Sequence, residues 1–215
     1  MVKVKWLGHA CFEIKGETVT IVTDPHDGTS LNIPRPKAEA DIVLVSHTHF
    51  DHMDGIKFVK RPDAEEIVAK TGEMEIKGVK IKGIKSYHDK SMGRQRGENV
   101  IYVFEVDGVR FCHLGDLGHI LTDEQVREIG EVDVLLIPVG GTFTIDAREA
   151  SEIIEMLKPK IVIPMHYKIK GLNLPIAGVE EFIADKKNVE KISGSEVEIT
   201  KENLPGETKI IVLSI

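Results

Sequence analysis

Four side chains able to ligate a metal stand within six residues: His47, His49, Asp51 and His52. They read His-x-His-x-Asp-His and follow the apolar stretch Asp41 to Ser46, which has the pattern of a buried β-strand. Three imidazoles and a carboxylate this close together suit a divalent cation of borderline softness, zinc above all. Spacing also divides them. While the chain is extended, residues two apart share a face, so His47 and His49 point the same way. As the chain turns into a helix, Asp51 and His52 aim elsewhere. One ion would take the first pair and a neighbouring ion the second.

Further candidates sit where other apolar stretches end. His88 follows a strand near residues 79–86, Asp116 follows Val109 to His113, and His166 follows Lys160 to Pro164. Each can project into a cleft with the first cluster. His113 competes with His88 for the remaining place beside His47 and His49. Residues 113 and 116 are three apart and face opposite sides if the strand continues, which favours His88 unless the chain bends at Gly115. Asp24 ends a strand in Thr23-Asp24-Pro25, where turn chemistry alone would account for it. His9, alone between two strands, reads as structural. The stretch Lys90 to Gly97 is basic and glycine-punctuated. It reads as a solvated loop, or as a flap whose Arg94 or Arg96 holds an anionic group on a substrate.

The elements that must position these residues follow from local pattern. Residues 2–7, 10–14 and 18–23 read as consecutive strands, and a Pro-broken loop fills 26–40. Gly55 to Lys60 reads as a helix ending before Pro62, with strands near 66–70, 73–77 and 79–86 after it. Asn99 to Val106 and Val109 to His113 form a hairpin about Asp107-Gly108. Thr122 to Gly130 is a short helix and Asp133 to Val139 a buried strand. Asp146 and Glu149 form a capping box that opens a helix to Lys158. A helix at 179–187 and edge strands near 195–200 and 208–214 close the chain. Two blocks of strands, each followed by helices, give an α/β fold of two sheets packed together with helices outside. No linker divides residues 1–215, which read as one domain with the candidate site at the sheet edges.

Composition narrows the function. The chain has 215 residues, 29% of them charged, and a formal net charge of −7, which argues against nonspecific nucleic-acid binding. No apolar run approaches the ~18 residues a membrane span needs. The amino terminus alternates like a strand and lacks a signal-peptide block, so a cytoplasmic setting is expected. Cys11 and Cys112 are too few for a disulfide framework and read as buried, inert thiols. No nucleophilic Ser or Cys motif is present.

His-x-His-x-Asp-His after a strand resembles the signature of the metallo-β-lactamase superfamily. That resemblance implies a four-layer αββα sandwich with two mixed sheets. It implies one ion on His47, His49 and His88, a second on Asp51, His52 and His166, and Asp116 between them. A carboxylate there would offset the repulsion of two cations ~4 Å apart. Asp24 would brace the metal-binding loop, and His113 would be a supporting or structural residue. Nitrogen and oxygen ligands suit zinc, with manganese or iron also possible in principle. Gly115-Asp116, Ile137-Pro138-Val139-Gly140-Gly141-Thr142-Phe143-Thr144 and Ile163-Pro164-Met165-His166-Tyr167 resemble a compact branch of metal-dependent hydrolases. That branch includes L-ascorbate-6-phosphate lactonase and N-acyl-phosphatidylethanolamine phospholipase D. The expectation is hydrolysis of a small ester, lactone or phosphoester metabolite by metal-activated water, with Asp51 orienting that water or accepting its proton. The alternatives are a metal-dependent nuclease or phosphodiesterase and a non-catalytic metal-binding protein. Oligomeric state is left open.

Overall fold

Val2, Val4 and Trp6 alternate with Lys3 and Lys5, and this period of two gives the first strand one buried and one half-buried face. The computed structural model describes residues 1–215. In chain order, β1 (Val2–Trp6), β2 (Phe12–Lys15), β3 (Thr20–Thr23) and β4 (Ala40–Val45) precede helices α1 (Phe50–Met53) and α2 (Ile56–Val59). Five strands and a helix follow in the middle of the chain: β5 (Lys60–Val68), β6 (Gly72–Ile76), β7 (Val79–Tyr87), β8 (Glu98–Val106), β9 (Val109–His113) and α3 (Asp123–Ile129). The remainder comprises β10 (Val134–Pro138), α4 (Ala147–Leu157), β11 (Ile161–Met165), α5 (Val179–Ile183), β12 (Val189–Lys191), β13 (Glu196–Ile199) and β14 (Lys209–Val212).

The strands form two mixed sheets. Six take the order β13-β1-β2-β3-β4-β5 and eight take the order β12-β14-β11-β10-β9-β8-β7-β6. One core of 51 buried residues draws on both sheets. Strand β4 shows the sidedness. Ile42 and Leu44 enter that core, while Val43 and Val45 turn the other way and join Met53, Ile56 and Val59 of the first two helices. Helix α4 adds Ala150, Ile153, Ile154 and Leu157 to the core, and α5 packs beside it. Helices thus lie outside both sheets, giving the expected four layers.

Strand direction decides where chemistry can gather. In the first sheet β1 and β3 are each antiparallel to β2, and β4 is parallel to β3, so all three run the same way. In the second sheet β7 and β9 flank β8 antiparallel, and β10 and β11 continue parallel to β9. The loops after β1, β3 and β4 therefore leave one edge of the first sheet. Those after β7, β9 and β11 leave one edge of the second.

Some boundaries differ from the sequence expectation. The helix after Gly55 stops at Val59, and the following strand begins at Lys60 and contains Pro62. Strand β5 lies at a sheet edge, and its pairing with β4 shifts register between Ala40 and Ile42, so a residue without an N–H is tolerated there. The helix expected at 179–187 ends at Ile183, because the polar run after it has nothing to bury. Strand β14, expected at an edge, is flanked by the three-residue β12. No helix is long and apolar enough to cross a membrane.

Candidate metal centre

Six strand ends deliver six side chains to one place: His9 after β1, Asp24 after β3, His47 after β4, His88 after β7, Asp116 after β9 and His166 after β11. The turn into α1 adds His49, Asp51 and His52. Ligand atoms of His47, His49 and His88 lie within 4.8 Å of one another, and so do those of His9, Asp51, His52 and His166. Asp116 joins the two groups. Its Oδ2 is 3.1 Å from His88 Nε2 and 3.8 Å from His47 Nε2 in the first. The same atom is 3.1 Å from His52 Nε2 and 3.2 Å from His166 Nε2 in the second.

Asp116 reaches this point because the chain bends sharply after β9. Gly115 has φ +57°, and a Cβ there would sit 2.4 Å from Asn99 Oδ1 and 2.6 Å from Ser46 Cβ. Only glycine meets both demands. Asn99 completes the bend, accepting from Asp116 N at 2.9 Å and donating to Leu114 O at 2.9 Å. The strand-period argument for His88 over His113 therefore did not apply, since β9 ends at His113. His113 is kept from the cluster for a different reason. Its Nε2 donates to Ala10 O at 2.9 Å and its Nδ1 accepts from Gly115 N at 3.1 Å, so both ring nitrogens are engaged with backbone.

Asp24 does more than end a strand. It is buried, with φ +39°, and its Oδ1 accepts from Ser46 N at 2.7 Å. Its Oδ2 accepts from Ser46 Oγ at 2.6 Å and from His52 Nδ1 at 2.8 Å. One carboxylate thus fixes the start of the His-x-His loop and the ring of His52. The Nδ1–H···Asp24 bond turns the His52 Nε2 toward Asp116.

The charges of the cluster depend strongly on one another. Burial works to raise the Asp116 carboxyl, but the neighbouring His166 and His52 rings outweigh it and hold it well below the ordinary range. Asp51 follows the same balance, with His52 and a hydrogen bond from His9 overcoming burial. Burial works to lower His52, yet Asp116, Asp51 and Asp24 around it push its pKa well up. His47, with burial and then His52 acting against its charged form, is lowered to about 3. Three carboxylates thus favour positive charge on His52, and against burial Asp116 also raises His88. Buried His47 Nε2, His52 Nε2 and Asp116 Oδ1 have no hydrogen-bond partner, and all belong to the cluster. Unpaired buried nitrogens and oxygens of this kind, the histidines being neutral when they ligate, are the atoms a divalent ion would engage, so the residues fit a metal.

Beyond His88 the loop of residues 89–96 is built around a buried carboxylate. Asp89 Oδ1 accepts from Ser91 N and Gly93 N, and its Oδ2 from Gln95 N and Arg96 N, at 2.7–3.0 Å. Burial opposes the charged form of Asp89, and these four backbone donors outweigh it and lower its pKa. The loop is thereby pinned rather than a free flap. It separates the two candidate arginines. Arg94 is exposed and does not line the cavity beside His88, whereas Arg96 does. That cavity holds about 300 Å³ and is walled by His88, Gln95, Arg96, Thr142, Phe143 and Thr144, among others. The Arg96 guanidinium lies 5.5 Å from the Phe143 ring centroid, while nearby Lys90 is paired with Glu149. Cys11 and Cys112 are buried, and burial pushes both thiols up, as inert residues require.

One residue of the cluster and one of the adjoining loop escaped the sequence reading. His9, taken as structural, has its Nε2 2.9 Å from Asp51 Oδ2. The signal was present: like His88 and His166, it follows the end of an apolar strand. Asp89 had no such signal, because only the folded loop reveals its four donors.

Residues 3–166 match the family described as the β-lactamase superfamily domain. A metal-dependent hydrolase of Thermococcus onnurineus is 34% identical over 93% of this chain and 95% of its own length. One from Pyrococcus horikoshii is 36% identical over 78% of this chain and 85% of its own. A solved structure from Thermotoga maritima, provisionally described as a Zn-dependent hydrolase of the metallo-β-lactamase superfamily, superposes with a TM-score of 0.81. It is 41% identical, covering 99% of this chain and 98% of the other. The chain belongs to the β-lactamase superfamily, among its metal-dependent hydrolases.

Proposed function

We propose that the chain holds two divalent cations and hydrolyses a small substrate that carries an anionic group. One ion would be held by His47, His49 and His88, the other by Asp51, His52 and His166, with Asp116 reaching both. The observation that carries this reading is the placement of a single oxygen, Asp116 Oδ2, within 3.1–3.8 Å of histidines from both groups. The unpaired His47 Nε2, His52 Nε2 and Asp116 Oδ1 support it. Zinc suits the nitrogen-rich set best.

When bound, such cations supply Lewis acidity, acidifying water and polarising the electrophile. The chain's own residues do the rest. Asp51 is ionised and 13% exposed at the mouth of the cluster. His9 donates to its Oδ2, and the carboxylate would orient the attacking water and accept its proton. Arg96, which no ion pair engages, faces the cavity beside His88 and would hold the anionic group. Thr142 and Thr144 line the cavity with hydroxyls that donate to Pro175 O and Ile145 O, and Phe143 offers one apolar face. Ser46 Oγ is committed to Asp24 and both thiols are buried, so water is the nucleophile.

The test is turnover by metal-loaded protein on bis-p-nitrophenyl phosphate, p-nitrophenyl phosphate, a phosphorylated sugar lactone, a neutral lactone and single-stranded RNA. Hydrolysis of a small phosphoester or phosphorylated lactone, lost in Asp51→Ala, is expected. Cleavage of RNA alone, or no turnover on any substrate with metal bound, would overturn the reading.

A further inference from the structure

We propose that His9 is a positioning residue for the second metal site, holding Asp51 with its ring and His166 with its backbone. The inference rests on the two-ion reading above. His9 is buried and takes φ +55°, a left-handed conformation uncommon for a residue with a side chain. Strain of this kind persists only where its surroundings enforce it. Here the carbonyl of His9 accepts two hydrogen bonds, from Trp6 Nε1 at 3.0 Å and from His166 N at 3.1 Å. The backbone of one candidate ligand is thereby tied across from the second sheet to the first. His166 itself has φ +52°, so its placement also depends on outside support.

The ring completes the bridge. Its Nε2 lies 2.9 Å from Asp51 Oδ2, and its centroid is 4.1 Å from that of His166. A carboxylate can only accept, and a neutral imidazole carries a single N–H, so that proton sits on Nε2. The buried Nδ1 has no partner and makes no competing claim on the ring. With Oδ2 occupied by this donor, Asp51 presents its other oxygen, which fixes how the carboxylate meets an ion. None of these contacts involves His47, His49 or His88. Support from His9 is therefore confined to the group of Asp51, His52 and His166.

The experiment compares the native protein with His9→Gln and His9→Met. Both replacements are unbranched and of similar length, and both meet the same backbone strain. Only Gln can donate to Asp51. Chelator-stripped proteins are titrated with Zn²⁺ against a chromophoric competitor, and folding is checked by circular dichroism. Native protein is also labelled with ¹⁵N at histidine, and the His9 ring tautomer is read by long-range NMR. His9→Met should weaken the second equivalent roughly 10–100-fold and leave the first unchanged, with His9→Gln close to native. In the loaded native protein His9 should carry its proton on Nε2, protected from exchange. A His9→Met variant that binds the second equivalent as tightly as native protein would overturn the proposal. So would equal weakening in both variants, or a proton found on Nδ1, which would make His9 itself a ligand. Native protein that binds fewer than two equivalents would defeat the two-ion reading instead. The ring tautomer in that same sample then decides the His9–Asp51 contact by itself.

Discussion

Asp24→Ala and Asp24→Asn should separate stability from metal binding. The carboxylate accepts three buried hydrogen bonds, from Ser46 N at 2.7 Å, Ser46 Oγ at 2.6 Å and His52 Nδ1 at 2.8 Å. Alanine strands all three donors away from water. A hydrogen bond to a charged group contributes about 1.5–3 kcal/mol, and the three share one acceptor and do not add. Breaking a buried charged pair from one side costs about 3–5 kcal/mol, which sets the expected loss. For a chain of this length that is a fall of roughly 6–20 °C in Tm. Asparagine tolerates the positive φ of position 24 and keeps one oxygen for Ser46 N. Its amide, however, faces His52 Nδ1 with a donor. The ring would then accept there and carry its proton on Nε2, the atom facing Asp116. Asp24→Asn should therefore cost no more than about 2 kcal/mol in a thermal melt. It should still weaken metal binding about 10–100-fold in a chelator competition. If Asp24→Asn bound metal as native protein does, or Asp24→Ala melted at the native temperature, this account of the brace would be wrong.

Other perturbations test separate parts. Arg96→Ala should raise KM for an anionic substrate about 10–100-fold with kcat little changed, the loss of one charge-assisted contact. KM for a neutral lactone should not move, and equal effects on both would refute the anion role. Asp89→Asn should destabilise the chain by about 2 kcal/mol at neutral pH and speed proteolysis within residues 90–97. Because the folded Asp89 pKa is depressed, its contribution is fully present above the unfolded carboxyl pKa. The difference between native and variant should hold above pH of about 5 and shrink as the pH falls below about 4. A gap that widened on acidification would contradict the assignment. Gly115→Ala should lose about 1–3 kcal/mol, since its Cβ meets Asn99 and Ser46. It should also displace Asp116, visible as weaker binding of both metal equivalents.

Much of the candidate cluster was legible because its densest part is local. His47, His49, Asp51 and His52 advertise themselves within six residues, and His88, Asp116 and His166 each follow an apolar strand. The same rule also picks out His9. The prior that a lone histidine is structural hid it, because a contact 42 residues away in the chain leaves no local trace. Asp89 was invisible for a related reason, since its role is to collect backbone N–H groups from its own folded loop. In the fold, the capping box of Asp146 with Glu149 marked its helix well and is complete in the structure, while the equivalent box of Thr122 with Gln125 went unread. Edges were read unevenly: the strand near 195–200 is an edge strand of the six-stranded sheet, but others were missed. The three-residue β12 carries too little pattern to recognise, and Pro62 looked like a terminator because its tolerance depends on β5 being an edge strand.

Anomalous X-ray diffraction from crystals grown with Zn²⁺, measured on both sides of the zinc absorption edge, tests the central claim most directly. Two peaks are expected, one among His47, His49 and His88 and one among Asp51, His52 and His166, with Asp116 between them. A single peak, or zinc bound away from Asp116, would contradict it.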